Sequence, residues 1–327
     1  MSHLYLTEDG SSLNKFAESV QLKLEGKILF EIELKSIETV QVFANVNITT
    51  QVVREFMERG IELAYYANSG KLIGQLTPIH VKNVELRYKQ YALSKNPDFK
   101  LEFSKEILRQ KFISCIQLIR DGNKNRDDLN LNSELTELKS YIEKLEQTSS
   151  LDSLLGIEGS FAKRYYSVYG LLFKDMSLFN GRTKRPPKDE ANAIMSFIYT
   201  LVTNRISSYI DGLGFDPYIG FYHAMEYGRV SLACDMIEPV RAIFCDRLTL
   251  GLFNLKILGR EDFEMTEEGI RLTHESRKKF FQRYAEELEK IKDYRIVKGD
   301  FTEYIKAMIG WLRKIFEEGS VRRFYEE

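Results

Sequence analysis

The chain has 327 residues, 43% of them hydrophobic, with only six prolines and a formal net charge of −1. At about 150 residues per domain that is room for two folded domains, and the composition excludes disordered, collagen-like and low-complexity classes. A near-neutral total also excludes a protein-wide basic field of the kind that marks a nucleic-acid binder. Three scattered cysteines (Cys115, Cys234, Cys245) with no CxxC spacing argue for reduced, mostly buried thiols rather than a disulfide frame or zinc site. The opening MSHLYLTEDGSSL lacks the cationic and apolar stretches of a signal peptide, and the longest uncharged run, Thr39–Val53, is 15 residues rich in Thr, Asn and Gln. Spanning a bilayer takes ~18 or more apolar residues, so the expectation is a soluble, cytoplasmic protein with no membrane partner.

Residues 1–76 read as short strands. Val20, Leu22 and Leu24 alternate with polar neighbours, as do Ile28, Phe30, Ile32 and Leu34, with Gly26 joining the two runs as a hairpin. One helix interrupts, with Thr49 or Thr50 as its cap, an inner face of Val52, Val53, Phe56 and Met57, and Gly60 as its stop. Two more strands, Ile61–Tyr66 and Leu72–Leu76, flank a turn at Asn68-Ser69-Gly70. Pro78 then ends the alternation. From Val84 the apolar spacing turns helical, through Leu108, Phe112, Ile116 and Ile119 and then Leu135, Leu138, Ile142 and Leu145, the second run with a candidate cap at Ser133. Asp121–Asp128 reads as a loop, Asn180–Asp189 as a longer exposed one, and Glu267–Lys290 as a further helix carrying Phe280, Phe281, Tyr284 and Leu288. The expected architecture is α+β: a small β-rich, sandwich-like domain at 1–77, a linker at 78–84, and a large all-α domain at 85–327.

Four positions could carry chemistry. His223 is one of four histidines and follows a Gly-rich stretch, where a plain semi-buried histidine is the alternative to a functional one. Asp235 and Glu238 stand three apart, one helical turn from each other. D-x-x-E before an apolar run is equally a capping box, and in either register both acids sit at the positive end of the helix continuing through Arg241–Leu255, which would keep them ionised. Glu158 lies between Gly156 and Gly159, each costing ~1 kcal/mol inside a helix, a cost that close approach of another backbone would explain. One imidazole with two or three carboxylates suits Mg²⁺ or Mn²⁺, whereas zinc lacks a cysteine at ligand spacing. Such an ion can polarise a phosphodiester and neutralise a leaving oxygen. Between Lys163 and Lys188 seven cations (Lys163, Arg164, Lys174, Arg182, Lys184, Arg185, Lys188) face one anion, Asp175, with Tyr165, Tyr166 and Tyr169 interleaved. That is either a solvated basic face or a surface with cations for phosphates and rings for bases.

These residues resemble the CRISPR-associated spacer-acquisition integrases, a family also described as metal-dependent DNA endonucleases. The resemblance runs through Asn47-Ile48-Thr49-Thr50, Glu58-Arg59-Gly60-Ile61 and Ser69-Gly70-Lys71-Leu72-Ile73-Gly74 in the β-rich part. It continues, in family order, through Gly156-Ile157-Glu158-Gly159, Lys184-Arg185-Pro186-Pro187-Lys188-Asp189, Gly220-Phe221-Tyr222-His223 and Asp235-Met236-Ile237-Glu238-Pro239-Val240-Arg241. The resemblance implies that Glu158, His223 and Glu238 bind the metal, that Asp235 supports them, and that Arg182, Lys184, Arg185 and Arg241 contact phosphates. It also implies a homodimer and a small ferredoxin-like CRISPR-associated acquisition partner. The implied reaction inserts short double-stranded DNA fragments into a repeat array, each 3′-hydroxyl attacking a repeat phosphodiester with no covalent protein intermediate. A structure-selective nuclease for branched DNA and a non-catalytic DNA-binding scaffold are the alternatives.

Overall fold

The computed structural model describes residues 2–67, 70–77, 84–126, 128–183, 186–267 and 269–325. The chain divides into two compact units, residues 1–80 and 81–327. The turn positions Asn68 and Ser69 and nearly all of the expected linker at 78–84 lie outside the described residues.

The first unit holds β1 (Ser2–Leu6), β2 (Ser12–Phe16), β3 (Ser19–Leu24), β4 (Lys27–Glu33), β5 (Ile37–Val42), β6 (Asn47–Ile48), α1 (Thr50–Glu58), β7 (Glu62–Tyr66) and β8 (Leu72–Leu76). They form two four-stranded sheets, β1-β5-β7-β8 and β4-β3-β2-β6. Leu13, Val20 and Leu22 of one sheet, Val40 and Leu63 of the other, and Val52 and Phe56 of α1 close into one buried cluster. The sandwich-like reading therefore holds. Glu25 and Gly26 both take positive φ (49° and 79°), the geometry of a two-residue hairpin turn between β3 and β4. Gly60 ends α1 as expected: at φ 76° it lets its own N–H reach Met57 O and Ile61 N–H reach Phe56 O (2.8 Å). Two expectations differ. Thr49 sits at the N-cap position of α1, but its hydroxyl is buried without a hydrogen bond, so it does not cap by its side chain. β4 is an edge strand, which leaves Ile28 exposed instead of half-buried.

The second unit holds α2 (Val84–Ser94), α3 (Pro97–Lys124), α4 (Asn132–Glu146), α5 (Leu151–Gly170), α6 (Glu190–Gly212), α7 (Ser231–Ile237), α8 (Arg247–Asn254), α9 (Ser276–Glu289) and α10 (Phe301–Glu318). Helix α3 is its axis, packed by α2, α4, α5 and the segment after α7. The side chain of Asn96 caps it, accepting from Asp98 N (3.0 Å) and Phe99 N (3.2 Å), and Pro97 fills the first helical position, where a missing N–H costs nothing. The unit is not wholly α. Two short hairpins, β9 (Phe263–Thr266) with β10 (Gly269–Leu272) and β11 (Lys292–Asp293) with β12 (Lys298–Gly299), interrupt it, so the helix expected from Glu267 starts only at Ser276. Helix α3 runs on to Lys124, shortening the expected 121–128 loop, and α4 begins at Asn132 with Ser133 inside it rather than capping it. Cys115 and Cys245 are buried and Cys234 half-buried, all as free thiols. No described helix is long and apolar enough to cross a membrane.

Candidate active site

Glu158, His223, Asp235 and Glu238 come from three places in the second unit and meet beside the middle of α3. Helix α5 carries Glu158. It is capped by Ser150, whose hydroxyl accepts from Ser153 N (3.3 Å), and anchored in the core by Leu154, Phe161 and Tyr165. Gly156 and Gly159 do not admit a neighbouring backbone, contrary to expectation. Both are exposed, and a Cβ on either would meet open space. The two glycines fall on the solvent side of α5, away from the inward stripe that Glu158 shares with Leu154, Phe161 and Tyr165.

His223 lies in the segment between α6 and α7, which is tied down from both sides. The buried side-chain amide of Gln90 donates to Asp216 O (2.8 Å) and Ile219 O (3.0 Å) and accepts from Asp216 N (2.8 Å). Asp235, fully buried in the last turn of α7, accepts from the backbone N–H groups of Phe221 (2.7 Å), Tyr222 (3.2 Å) and His223 (2.8 Å), and from His223 Nδ1 (2.8 Å). The approach is possible because residue 220 is glycine: a Cβ there would lie 2.7 Å from Ser231 Cβ and 3.0 Å from Asp235 Oδ2. This removes the capping-box reading. Asp235 is not an N-cap, and it lies near the negative end of α7. What it holds is the loop and the imidazole. A carboxylate can only accept, so the Nδ1 that bonds Asp235 carries a proton, and Nε2 is the ring nitrogen turned toward Glu238.

Glu238 follows at a break in the helix. Pro239 has no N–H, and the regular ladder gives way to a 3₁₀ turn (Glu238–Val240) and a π turn (Arg241–Asp246) before α8 resumes. The irregularity turns Glu238 inward, where it is 2% exposed. Its Oε1 lies 2.9 Å from Arg241 Nη2 and 3.7 Å from His223 Nε2, while Oε2 lies 2.8 Å from Lys111 Nζ. Burial alone would raise this carboxyl's pKa, but Arg241, Lys111 and His223 outweigh it and hold the group down at about 2. The cations, not a helix terminus, keep Glu238 ionised.

Lys111, on α3, is the residue that the sequence reading missed. It is buried, hydrogen-bonds Glu158, and lies between Glu158 and Glu238. Burial works against its charge, yet the two carboxylates raise its pKa above the ordinary lysine value. The available signal was its spacing: Ile107, Lys111, Ser114 and Leu118 follow one another by 4, 3 and 4 along a helix, placing one lysine in a buried row. The Tyr222 hydroxyl is also buried without a hydrogen-bond partner. Burial raises its pKa, and the charges of Glu158 and Glu238 raise it further.

The donor chemistry suits a hard or borderline divalent ion. Glu158 and Glu238 already converge on a cation. His223 Nε2 lies 3.7 Å from Glu238 Oε1, and Glu238 Oε2 is buried beside the Lys111 ammonium. Among the described residues, however, no three His, Cys, Asp or Glu side chains stand together at ligand spacing, and the Lys111 ammonium lies among these donors. The residue types suit an ion, while the carboxylates as placed converge on the Lys111 ammonium.

The basic residues fare differently. Lys163 and Lys188 are exposed. Arg164 is paired with Glu137 (2.7 Å) and Glu134 (3.6 Å). Tyr165 is 2% exposed and donates to Asp246 Oδ2 (2.7 Å), so its ring is core and is not offered to a base; Tyr169 is likewise buried. Arg182 is spent on the scaffold, its two Nη atoms bonding Thr183 O, Asn192 Oδ1 (2.8 Å) and Ser196 Oγ (3.2 Å). Arg241 holds Glu238 and lies over the Tyr199 ring at 5.1 Å. Lys184 and Arg185 lie outside the described residues.

A β-rich unit followed by a helical one matches the fold of solved Cas1 structures. Residues 4–286 match the model of the CRISPR associated protein Cas1 family, and the chain belongs to that family. It is 33% identical over 327 aligned residues to a CRISPR-associated endonuclease Cas1 of Thermodesulfovibrio yellowstonii, covering 98% of this chain and 99% of the relative. A solved Cas1 protein of Thermotoga maritima has a TM-score of 0.81 at 25% identity, covering 99% of this chain and 100% of that one. A casposase bound to an integration product shares the fold, with a TM-score of 0.84 at 20% identity over 98% of this chain and 92% of that one.

Proposed function

We propose that this Cas1-family chain is a CRISPR adaptation integrase: a DNA endonuclease and strand transferase, dependent on Mg²⁺ or Mn²⁺, that joins short double-stranded fragments into a repeat array. The observation that carries the reading is the meeting of Glu158, His223 and Glu238 from α5, the 213–230 segment and the end of α7 around one cation-holding point. The ligands would be Glu158, His223 and Glu238. The ion, when bound, supplies Lewis-acid polarisation of the scissile phosphate and charge neutralisation at the leaving oxygen. The chain's own residues do the rest. Asp235 fixes the ring of His223 through Nδ1 so that Nε2 faces inward, and Arg241 fixes the carboxylate of Glu238. Exposed Lys163 and Lys188 meet the phosphates of the duplex. The fragment's 3′-oxygen forms a new P–O bond as the repeat's own 3′-oxygen leaves and takes a proton. No serine, tyrosine or cysteine nucleophile is required. We propose further that the chain works as a homodimer with a small ferredoxin-like CRISPR-associated partner.

The test is joining of a labelled fragment with free 3′-hydroxyls to a supercoiled plasmid bearing a repeat array, in Mn²⁺ or Mg²⁺ with the small partner. Label enters the plasmid with the wild-type protein and fails to enter with Glu158→Ala. Cutting without joining would favour a structure-selective nuclease, and tight binding without reaction would favour a scaffold.

A further inference from the structure

Lys111 has no place in the ligand set, yet it sits at that set's centre. Its ammonium is 6% exposed, hydrogen-bonds Glu158 and stands 2.8 Å from Glu238 Oε2, and Ser114, on the next turn of α3, pins the Pro239 carbonyl at 3.0 Å. Without Lys111, Glu158 would lose its cation, and the buried Glu238 would keep only Arg241 as a close cationic partner. Two carboxylates converging without a cation repel each other and would turn apart. With Lys111 in place they converge on one positive charge. A lysine suits the task better than an arginine, because its charge is compact and its four-carbon stem is free to swing aside.

We propose that Lys111 is a positioning residue that acts as the site's resident counter-ion: it holds Glu158 and Glu238 in their convergent arrangement until a divalent ion displaces its ammonium. The proposal rests on the metal-dependent reading above and deepens it. It makes metal entry a competition between an intramolecular monovalent cation and a free divalent one. The site is thereby kept ordered when empty, at the cost of a weaker apparent affinity for the ion.

The test is Mn²⁺ titration of the full-length protein without DNA, by calorimetry and by the paramagnetic resonance of free Mn²⁺, with thermal melts in chelator and in Mn²⁺. Removing one positive charge from beside a divalent ion tightens its binding by about tenfold or more even under strong screening. Lys111→Met is therefore expected to bind Mn²⁺ at least about tenfold more tightly than wild type. It should melt lower in chelator and gain more from Mn²⁺ than wild type does. Where methionine prevents folding, Lys111→Gln, which can still hydrogen-bond Glu158, carries the same expectation. Lys111→Arg, which keeps the charge, should bind no more tightly than wild type. Unchanged or weaker Mn²⁺ binding in a folded Lys111→Met or Lys111→Gln protein, with wild type binding normally and Glu158→Ala not at all, overturns the counter-ion role and leaves the metal site standing. Absence of Mn²⁺ binding in wild type and variants alike overturns the metal-dependent reading and this inference with it.

Discussion

In the β unit, the buried cluster is aliphatic and aromatic from end to end, with Leu13, Val20, Leu22, Val40, Val52, Phe56 and Leu63 each at 2% exposure or less. In the helical unit, Lys111, Asp235, Glu238 and Asp246 are buried among equally dense aromatic packing. The first interior is stabilised by removing apolar surface from water, so each of its side chains contributes separately. The second contains charges whose desolvation is offset only by their partners, so they stand or fall as a set. Buried charge of this kind is poor evidence of stability and good evidence of a site, because simple hydrophobic packing would fill the same space at less cost.

That contrast can be broken by truncation. Glu238→Ala, which leaves buried Arg241 without its carboxylate and Lys111 with Glu158 alone, should destabilise the helical unit by about 3–5 kcal/mol. Most of that should return in Glu238→Ala combined with Lys111→Met, measured as a double-mutant cycle in urea. Leu63→Ala should cost the β unit about 2–5 kcal/mol, with no second-site removal that restores it. Additive behaviour in the first pair would mean that the charges do not act as a set.

Smaller changes sharpen the picture. Asp235→Asn should lower strand transfer by about 10–100-fold, because its NH2 must face either the N–H groups of Phe221 and Tyr222 or those of His223 and can accept from neither. Equal loss of folded protein and of activity would reduce Asp235 to a loop anchor. Gly159→Ala should stabilise the protein by about 1 kcal/mol, since its Cβ meets nothing on the exposed side of α5, and a loss of stability in urea would contradict that placement. Lys163→Ala and Lys188→Ala should each lower the salt slope of DNA binding by about 0.9. Arg182→Ala should instead lower stability, because its guanidinium is bound to Asn192 and Ser196. A reduced slope for Arg182→Ala would restore it to the DNA surface.

The same contrast explains what the sequence could disclose. Period-two alternation, the Gly26 turn and the Gly60 stop are local signals, and the strands and helix they mark are present, because backbone geometry and one buried face decide them. Edge exposure of Ile28 and the buried amide of Gln21, which donates to Glu31 (2.8 Å), depend on which strand neighbours which, and the alternation carried no record of that. The helical unit was legible as helices and misleading at the termini. Asp235-x-x-Glu238 has the pattern of a cap, yet Pro239 and the π turn that follows make it a break inside a continuous segment. Glu158, His223 and Glu238 could be nominated because their residue types suit a divalent ion and because they fall in family motifs. Lys111 could not be nominated that way, since a lysine within a helical stripe reads as surface until the helices on every side of α3 are in place. Tyr165, placed among cations in the sequence, turns inward for the same reason: adjacency along the chain does not say which face of α5 a residue occupies.

The central claim is that the buried charges of the helical unit are the chemical centre and the β unit is not. The joining assay tests this most directly when Glu158→Ala and His223→Ala are run beside Leu63→Ala at equal concentrations of folded protein. The account predicts that label enters the plasmid with wild type and Leu63→Ala and fails to enter with either site variant, while all four proteins bind the fragment. Joining by Glu158→Ala or His223→Ala at the wild-type rate would contradict it.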